Sequence, residues 1–348
     1  MLNGVVEKDG VLYYYENGRG VEKGLVKWNG DYYFAFYLGK LAVNTTQYAF
    51  LTNCDLPMGN YEFGADGKMR SGIVEKDGVL YYYERGRGVE KGLIEFGGDY
   101  YFSYYQGKLA VNTTQYAYET NCDLPKGTYE FGPDGKALNG IIEKDGALYY
   151  YKNGQRKEMG LIKYDGAYYN VGFDGVITVN QTAYAYITNC DLKVGTYEFG
   201  ADGRMLNGFV EKNGELYYYE NGKGTEKGLV KIGDDYYFQQ YGGKVVTGKT
   251  LYAYLTYCDL PKGNYEFAAD GKMIGSKATG EIVNKDGVLY YYESGKGVEK
   301  GLVYLDGYYY FAQYGGKLVV NKVQYVYQTN GLLHETNYTF NELGQIIK

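Results

Sequence analysis

Phenols dominate the chemistry open to this chain. Of its 348 residues 48 are tyrosine, against 14 phenylalanines, one tryptophan and one histidine. A phenol offers a flat face on which a sugar's axial C–H groups or a cation can pack, and a hydroxyl at its rim that meets water or a polar partner. The rings come in runs. "DGVLYYYENG" from Asp9 to Gly18 returns with small changes at Asp77, Asp145, Asn213 and Asp286, and "DYYFAFY" from Asp31 to Tyr37 recurs in the same rhythm. The second cluster supplies the candidate stacking residues: Tyr32, Tyr33, Phe36 and Tyr37, then Tyr100, Tyr101, Tyr104 and Tyr105, then Tyr236, Tyr237 and Tyr241, and Tyr309, Tyr310 and Tyr314. For any one ring, core packing competes with ligand stacking and prevails more often. Even so, 48 phenols are more than a slim stack of strands can hide.

Other chemistries find little support. Cys54, Cys122, Cys190 and Cys258 lie at one equivalent position 68 residues apart. Stacked sheets are about 10 Å apart, so residues three sheets apart exceed the roughly 7 Å Cα separation a disulfide spans. Unpaired, buried thiols are expected. With no Cys-x-x-Cys and a solitary His334, a metal site is not expected. "ADGKM" at Ala65 and "ADGRM" at Ala201 lack the acidic ladder of a calcium loop and read as turns. The Asn-x-Thr triplets at Asn44, Asn112 and Asn180 read as one repeated loop motif, and a further triplet starts at Asn337. Carboxylates are plentiful but lack Ser, His or Cys partners, and no Gly-rich phosphate loop occurs, so neither catalysis nor a cofactor is expected. The 36 basic and 42 acidic residues, net −6, are scattered singly, which argues against nucleic acid as a partner. No apolar run reaches the roughly 18–20 residues that span a bilayer, and "MLNGVVEKDG" lacks the regions of a signal peptide, so the chain reads as part of a larger exported protein, with no membrane insertion.

The elements that must position the rings follow from the repeat. Gly4, Gly72, Gly140 and Gly208 keep the cysteine spacing, and a fifth copy follows a short insertion, with Gly331 at the cysteine position. The array spans residues 1–348, in copies of approximately 4–71, 72–139, 140–207, 208–280 and 281–348. Each copy holds three units, starting in the first with "GVVEKDGVLYYYENGRGVEK", "GLVKWNGDYYFAFYLGKLAVN" and "TTQYAFLTNCDLPMGNYEFGADGKMRS". Each unit reads as a β-hairpin whose turn glycine supplies positive φ. One hairpin is marginal in water, so the units must stack. The expected fold is all-β, an elongated solenoid of stacked hairpins. Successive strand residues face opposite ways, so a Tyr-Tyr-Tyr strand between two neighbours can use both faces.

The second unit resembles the cell-wall-binding repeat family of choline-binding and glucan-binding repeats and, more distantly, the repetitive oligopeptides of clostridial toxins. Its pattern is Gly-Trp, a Gly-ended turn, an aromatic cluster, then Gly-x-Met or Gly-x-Leu, and "GLIEFGGDYYFSYYQGKLAVN" and "GLVYLDGYYYFAQYGGKLVVN" are similar to it. The resemblance covers nearly the whole chain. It implies a non-catalytic repeat region of a secreted, surface-located Gram-positive bacterial protein that binds cell-wall or other polysaccharide by many weak contacts. In choline-binding members an indole cage holds the quaternary ammonium. Leu25, Leu93, Leu161, Leu229 and Leu302 stand at the Gly-Trp position here, so choline is expected to bind poorly. The alternatives are a structural stalk and a toxin-like or adhesin-like receptor-binding array.

Overall fold

A computed structural model describes residues 1–347 and gives an all-β repeat fold, about 54% strand and 4% helical, built from many small sheets. The first copy defines the pattern. Strands β1 (Gly4–Lys8) and β2 (Val11–Glu16) pair antiparallel from Gly4 with Tyr15 to Lys8 with Val11, and β3 (Arg19–Gly20) adds to the β2 edge. Their connection is Asp9-Gly10, with φ of 50° and 72°. Two consecutive left-handed residues make the tight turn whose twist matches paired strands, which is why Asp-Gly stands there. Strands β4 (Gly24–Trp28) and β5 (Asp31–Ala35) form the second hairpin around Asn29-Gly30. A single 3₁₀ turn, Tyr37–Gly39, follows it.

The third unit departs from the expected hairpin. Strands β6 (Thr45–Ala49) and β8 (Gly59–Phe63) pair antiparallel, but a long loop joins them, and within it β7 (Thr52–Asn53) leaves to pair in parallel with Leu25 and Val26 of β4. The open edge of β4 accounts for this. Its Leu25 amide donates to the Leu51 carbonyl, and the Asn53 side chain donates to the Lys23 carbonyl at 2.6 Å. An unpaired edge buried against a neighbour would leave backbone groups unsatisfied, and the loop satisfies them. The Asn-Cys-Asp-Leu stretch is the return from this excursion.

Packing follows the period of two. Leu25 and Phe34 point to one side of the β4–β5 hairpin and pack with Ala42 and with Ala49, Tyr61, Phe63 and Met69 of the third unit. Val26 and Tyr33 point to the other side and pack with Tyr14, Leu12 and Val5 of the first hairpin. Both faces of the second hairpin are therefore core. Backbone hydrogen bonds carry the chain between units: Leu41 to Leu12, Met69 to Tyr32, and Glu62 to Gly86 of the next copy.

The same elements recur along the sequence. The contacts divide the chain into two compact units, Met1–Met159 with Val171–Ile177, and Gly160–Asn170 with Thr178–Lys348. Within each unit the third module of one copy is tied to the first hairpin of the next by a half-buried carboxylate. Glu130 accepts from the Lys144 ammonium (2.7 Å) and the Tyr151 hydroxyl (3.0 Å) and pairs with Arg156 (3.2 Å), all in the first unit. In the second unit, Glu198 with Lys212 and Tyr219, and Glu266 with Lys285 and Tyr292, repeat the arrangement. All four cysteines are unpaired, as expected, but they are half-buried rather than fully buried, because their loop runs along the surface. Asn44, Asn112 and Asn180 all adopt left-handed φ of 45–49°, which identifies the repeated triplet as a turn. Asp66 accepts from the Lys68 amide in the Ala65 turn (3.1 Å), as Asp202 does from Arg204 in the Ala201 turn (3.0 Å).

Candidate functional site

The residues of the aromatic cluster separate by position. Tyr33, Tyr101, Tyr237 and Tyr310 are 5–7% exposed and sit in the cores between first and second hairpins. Tyr236 is 6% exposed in the core on the other side. Their rings, expected to stack on a sugar, are buried against neighbouring side chains. Two-faced burial of the hairpin is the reason. Phe36, Tyr104 and Tyr309 are half-buried against the same kind of core, and the Phe36 ring meets Phe34 edge-on at 5.0 Å.

Tyr32 and Tyr100 are half-exposed but engaged. The Tyr32 hydroxyl donates to Asp55 (2.7 Å), Tyr100 to Asp123 (2.7 Å) and Tyr236 to Asp259 (2.7 Å). This bond to an anion favours the neutral phenol, and it pushes the ionisation of Tyr100 and Tyr236 up to about 12. The same bond, as the main cause, holds Asp55 and Asp259 below the usual carboxylate value. Lys27 lies 5.0 Å over the Tyr32 ring, and Lys231 lies 5.3 Å over Tyr236. The chain's own cations occupy these faces.

What remains free is the last ring of the cluster. Tyr37 and Tyr105 are 74% exposed, Tyr241 is 89% and Tyr314 is 88%, and Phe173 of the third copy, outside the expected set, is 84% exposed. Each opens a 3₁₀ turn whose middle residue is left-handed: Leu38, Gln106, Asp174, Gly242 and Gly315. The turn then closes on a glycine. Gly39 has φ of 80°, and a Cβ there would run into the Tyr14 carbonyl oxygen. The Gly39 amide donates to Phe36 (2.9 Å) and the Phe36 amide to Lys40 (2.8 Å), so the turn bearing Tyr37 is fixed at both ends. A ring projecting from a pinned turn loses little entropy on binding.

A second exposed set lies on the third module. Tyr116 and Tyr118 contact at 4.5 Å between centroids, Tyr184 and Tyr186 at 4.7 Å, and Tyr48 with Phe50, Tyr252 with Tyr254, and Tyr325 with Tyr327 are exposed at the same positions. The signal was present in "TTQYAF". Thr46, Tyr48 and Phe50 alternate with Gln47 and the buried Ala49, so a half-exposed strand puts both rings on the Thr face. Among the described residues no group of three or more His, Cys, Asp or Glu converges to hold a metal ion, and no helix is long and apolar enough to cross a membrane.

No protein-family model matches the chain. A glucosyltransferase-S of Streptococcus mutans is 25% identical over 264 residues, which are 68% of this chain. The match spans 16% of that protein's length. Among solved structures, choline binding protein F of Streptococcus pneumoniae is 19% identical, with all of both chains covered and a TM-score of 0.27. The choline-binding domain of CbpL from the same species is 22% identical over 61% of this chain and 100% of that one, with a TM-score of 0.29. These likenesses are to a stretch of a glucosyltransferase-S and to choline-binding proteins.

Proposed function

We propose that the chain is a non-catalytic, carbohydrate-binding repeat region of a secreted bacterial surface protein, and that it acts by multivalency. One observation carries this reading: at one equivalent position every copy holds an aromatic ring 74–89% exposed, Tyr37, Tyr105, Phe173, Tyr241 or Tyr314, on a turn pinned by backbone hydrogen bonds. A large apolar ring kept in water at the same place in each copy has no packing role, and a pyranose face is a fitting occupant. The likeness to a stretch of a streptococcal glucosyltransferase supports a saccharide ligand and an exported setting.

Choline is a poor candidate. Where a quaternary ammonium would seek an aromatic face, Arg87 lies over Tyr61, Lys223 over Tyr197 and Lys296 over Tyr265, at 4.8–5.2 Å. An incoming cation would have to displace a resident one. The test is retention of the purified chain on immobilised α-glucan, peptidoglycan and mucin, beside choline-agarose. Retention on at least one glycan, lost when the five turn rings are replaced by Ala, is the expected result. Retention on choline alone would overturn the reading, and retention on none would favour a stalk.

A further inference from the structure

An open groove of about 580 Å³ lies in the first compact unit where the first copy meets the second. Tyr61 of one copy and Tyr82 and Phe96 of the next form its aromatic walls, and the Tyr82 and Phe96 rings meet edge-on at 6.1 Å. Two guanidinium groups stand at its rim, Arg85 and Arg87. The other copies carry Asn17, Asn153, Asn221 and Ser294 where this one has Arg85, and Arg19, Gln155, Lys223 and Lys296 in place of Arg87. This groove therefore carries a charge pair that the other junctions lack.

Arg85 is conspicuous on two counts. Its φ is +46°, the first of two left-handed residues in a tight turn completed by Gly86 at +72°. Asn accepts that conformation readily, whereas Arg is disfavoured in it, and a long charged residue kept at such a position points to use rather than stability. Further, the nearby carboxylates are already matched. Glu84, which also lines the groove, accepts from the Tyr82 hydroxyl (3.0 Å) and pairs with Lys91 (3.3 Å). Asp55, within electrostatic reach of Arg85, accepts from Tyr32 (2.7 Å) and lies 4.0 Å from Lys27. Arg87 is anchored: its Nε donates to the Asn60 carbonyl (3.3 Å), and its guanidinium lies 4.8 Å over Tyr61. Resident groups fix one guanidinium over a ring and leave the other facing solvent beside aromatic walls.

We propose that this groove binds an acidic sugar, its ring against Tyr82 and Phe96 and its carboxylate or phosphate on Arg85 and Arg87. The inference rests on the carbohydrate reading in taking a saccharide as ligand, and it adds that one junction discriminates by charge. A planar guanidinium gives the paired hydrogen bonds that carboxylate and phosphate accept, which Asn and Ser cannot.

The experiment is calorimetric titration of the full chain with glucuronosyl-glucose, glucosyl-glucose and inorganic phosphate at low and moderate salt. The acidic disaccharide should bind about tenfold or more tighter than the neutral one, with the preference shrinking as salt rises. Arg85→Asn restores the residue of three other copies and Arg87→Lys that of two, so both variants should fold. Each should lower affinity for the acidic disaccharide about tenfold and leave that for the neutral one unchanged. Equal affinity for the two disaccharides, phosphate binding as tightly as the acidic sugar, or no effect of Arg85→Asn would overturn the proposal. Glycan retention through the five turn rings, measured on the same samples, separates the readings. Retention without charge preference sinks only this inference, and an Arg85-dependent preference without retention sinks only the multivalent one.

Discussion

At the scale of single residues, a tyrosine's role depends on whether its backbone lies in a covered strand or in the turn beyond it. Tyr33 and Tyr37 stand four residues apart, yet one is 5% and the other 74% exposed. Their truncation should separate stability from binding. Tyr33→Ala empties a packed core and should cost about 3 kcal/mol or more in denaturant unfolding, whereas Tyr37→Ala should stay within about 0.5 kcal/mol. A large stability loss from Tyr37→Ala would show that its ring packs after all. The Tyr100 hydroxyl supplies a second check. Its bond to Asp123 raises its ionisation to about 12, so Asp123→Asn should bring one phenol's absorbance transition down toward 10 in an alkaline titration. The thiols give a third. Burial raises the ionisation of Cys54, Cys122 and Cys258, so native thiols should react slowly, and unfolding without reductant should release four. A count of two or none would reveal disulfides.

Between elements, the recurring device is the carboxylate that joins one copy to the next. Burial alone would raise the ionisation of Glu130, but hydrogen bonds from Lys144 and Tyr151 and the charges of Lys144 and Arg156 outweigh it and hold the group below its ordinary value. A depressed carboxylate stabilises the fold above its unfolded value near 4.5, and that contribution disappears as pH falls through the folded one. Tyr151 has the opposite sense. Burial, then its bond to Glu130, raises it to about 12, so its contribution is complete below pH 10 and lost as pH climbs toward 12. The expected stability profile is thus a plateau with an acid and an alkaline shoulder. Glu130→Gln should lower the plateau by about 1–3 kcal/mol and reduce the acid shoulder, read by urea unfolding at several pH values. An unchanged plateau would mean that the junction is held by backbone bonds alone.

For the whole molecule, the proposed function rests on repetition. On that proposal, five rings on one chain convert each binding event after the first into an intramolecular one, so affinity for a repetitive glycan should fall far more steeply than ring number. Replacing Tyr37, Tyr105, Phe173, Tyr241 and Tyr314 with Ala one after another, in the full chain, should produce that steep decline on a polysaccharide surface. A single small glycoside should show nearly proportional loss of sites at unchanged affinity. A decline in simple proportion on the polysaccharide as well would mean the rings act independently.

Much of this was written in the sequence. The 68-residue spacing of Gly4, Gly72, Gly140 and Gly208, and the paired Asp-Gly and Asn-Gly turns, determine a repeating all-β chain, because only a few backbone conformations join strands so tightly. The same periodicity kept the cysteines apart. The third module reads in sequence as a simple hairpin, because a two-residue strand such as Thr52–Asn53 has too little pattern to announce that it will cross to the edge of β4. Nor could "DYYFAFY" reveal which rings remain in water. Alternation puts Tyr32 and Tyr33 on opposite faces, but only the neighbours packed on both sides decide that each face is covered. The turn at Tyr37 escapes because its backbone has already left the sheet. Local geometry is set by short-range sterics legible in residue type, whereas exposure depends on surfaces contributed by residues 20 to 40 positions away, which only the folded chain brings together.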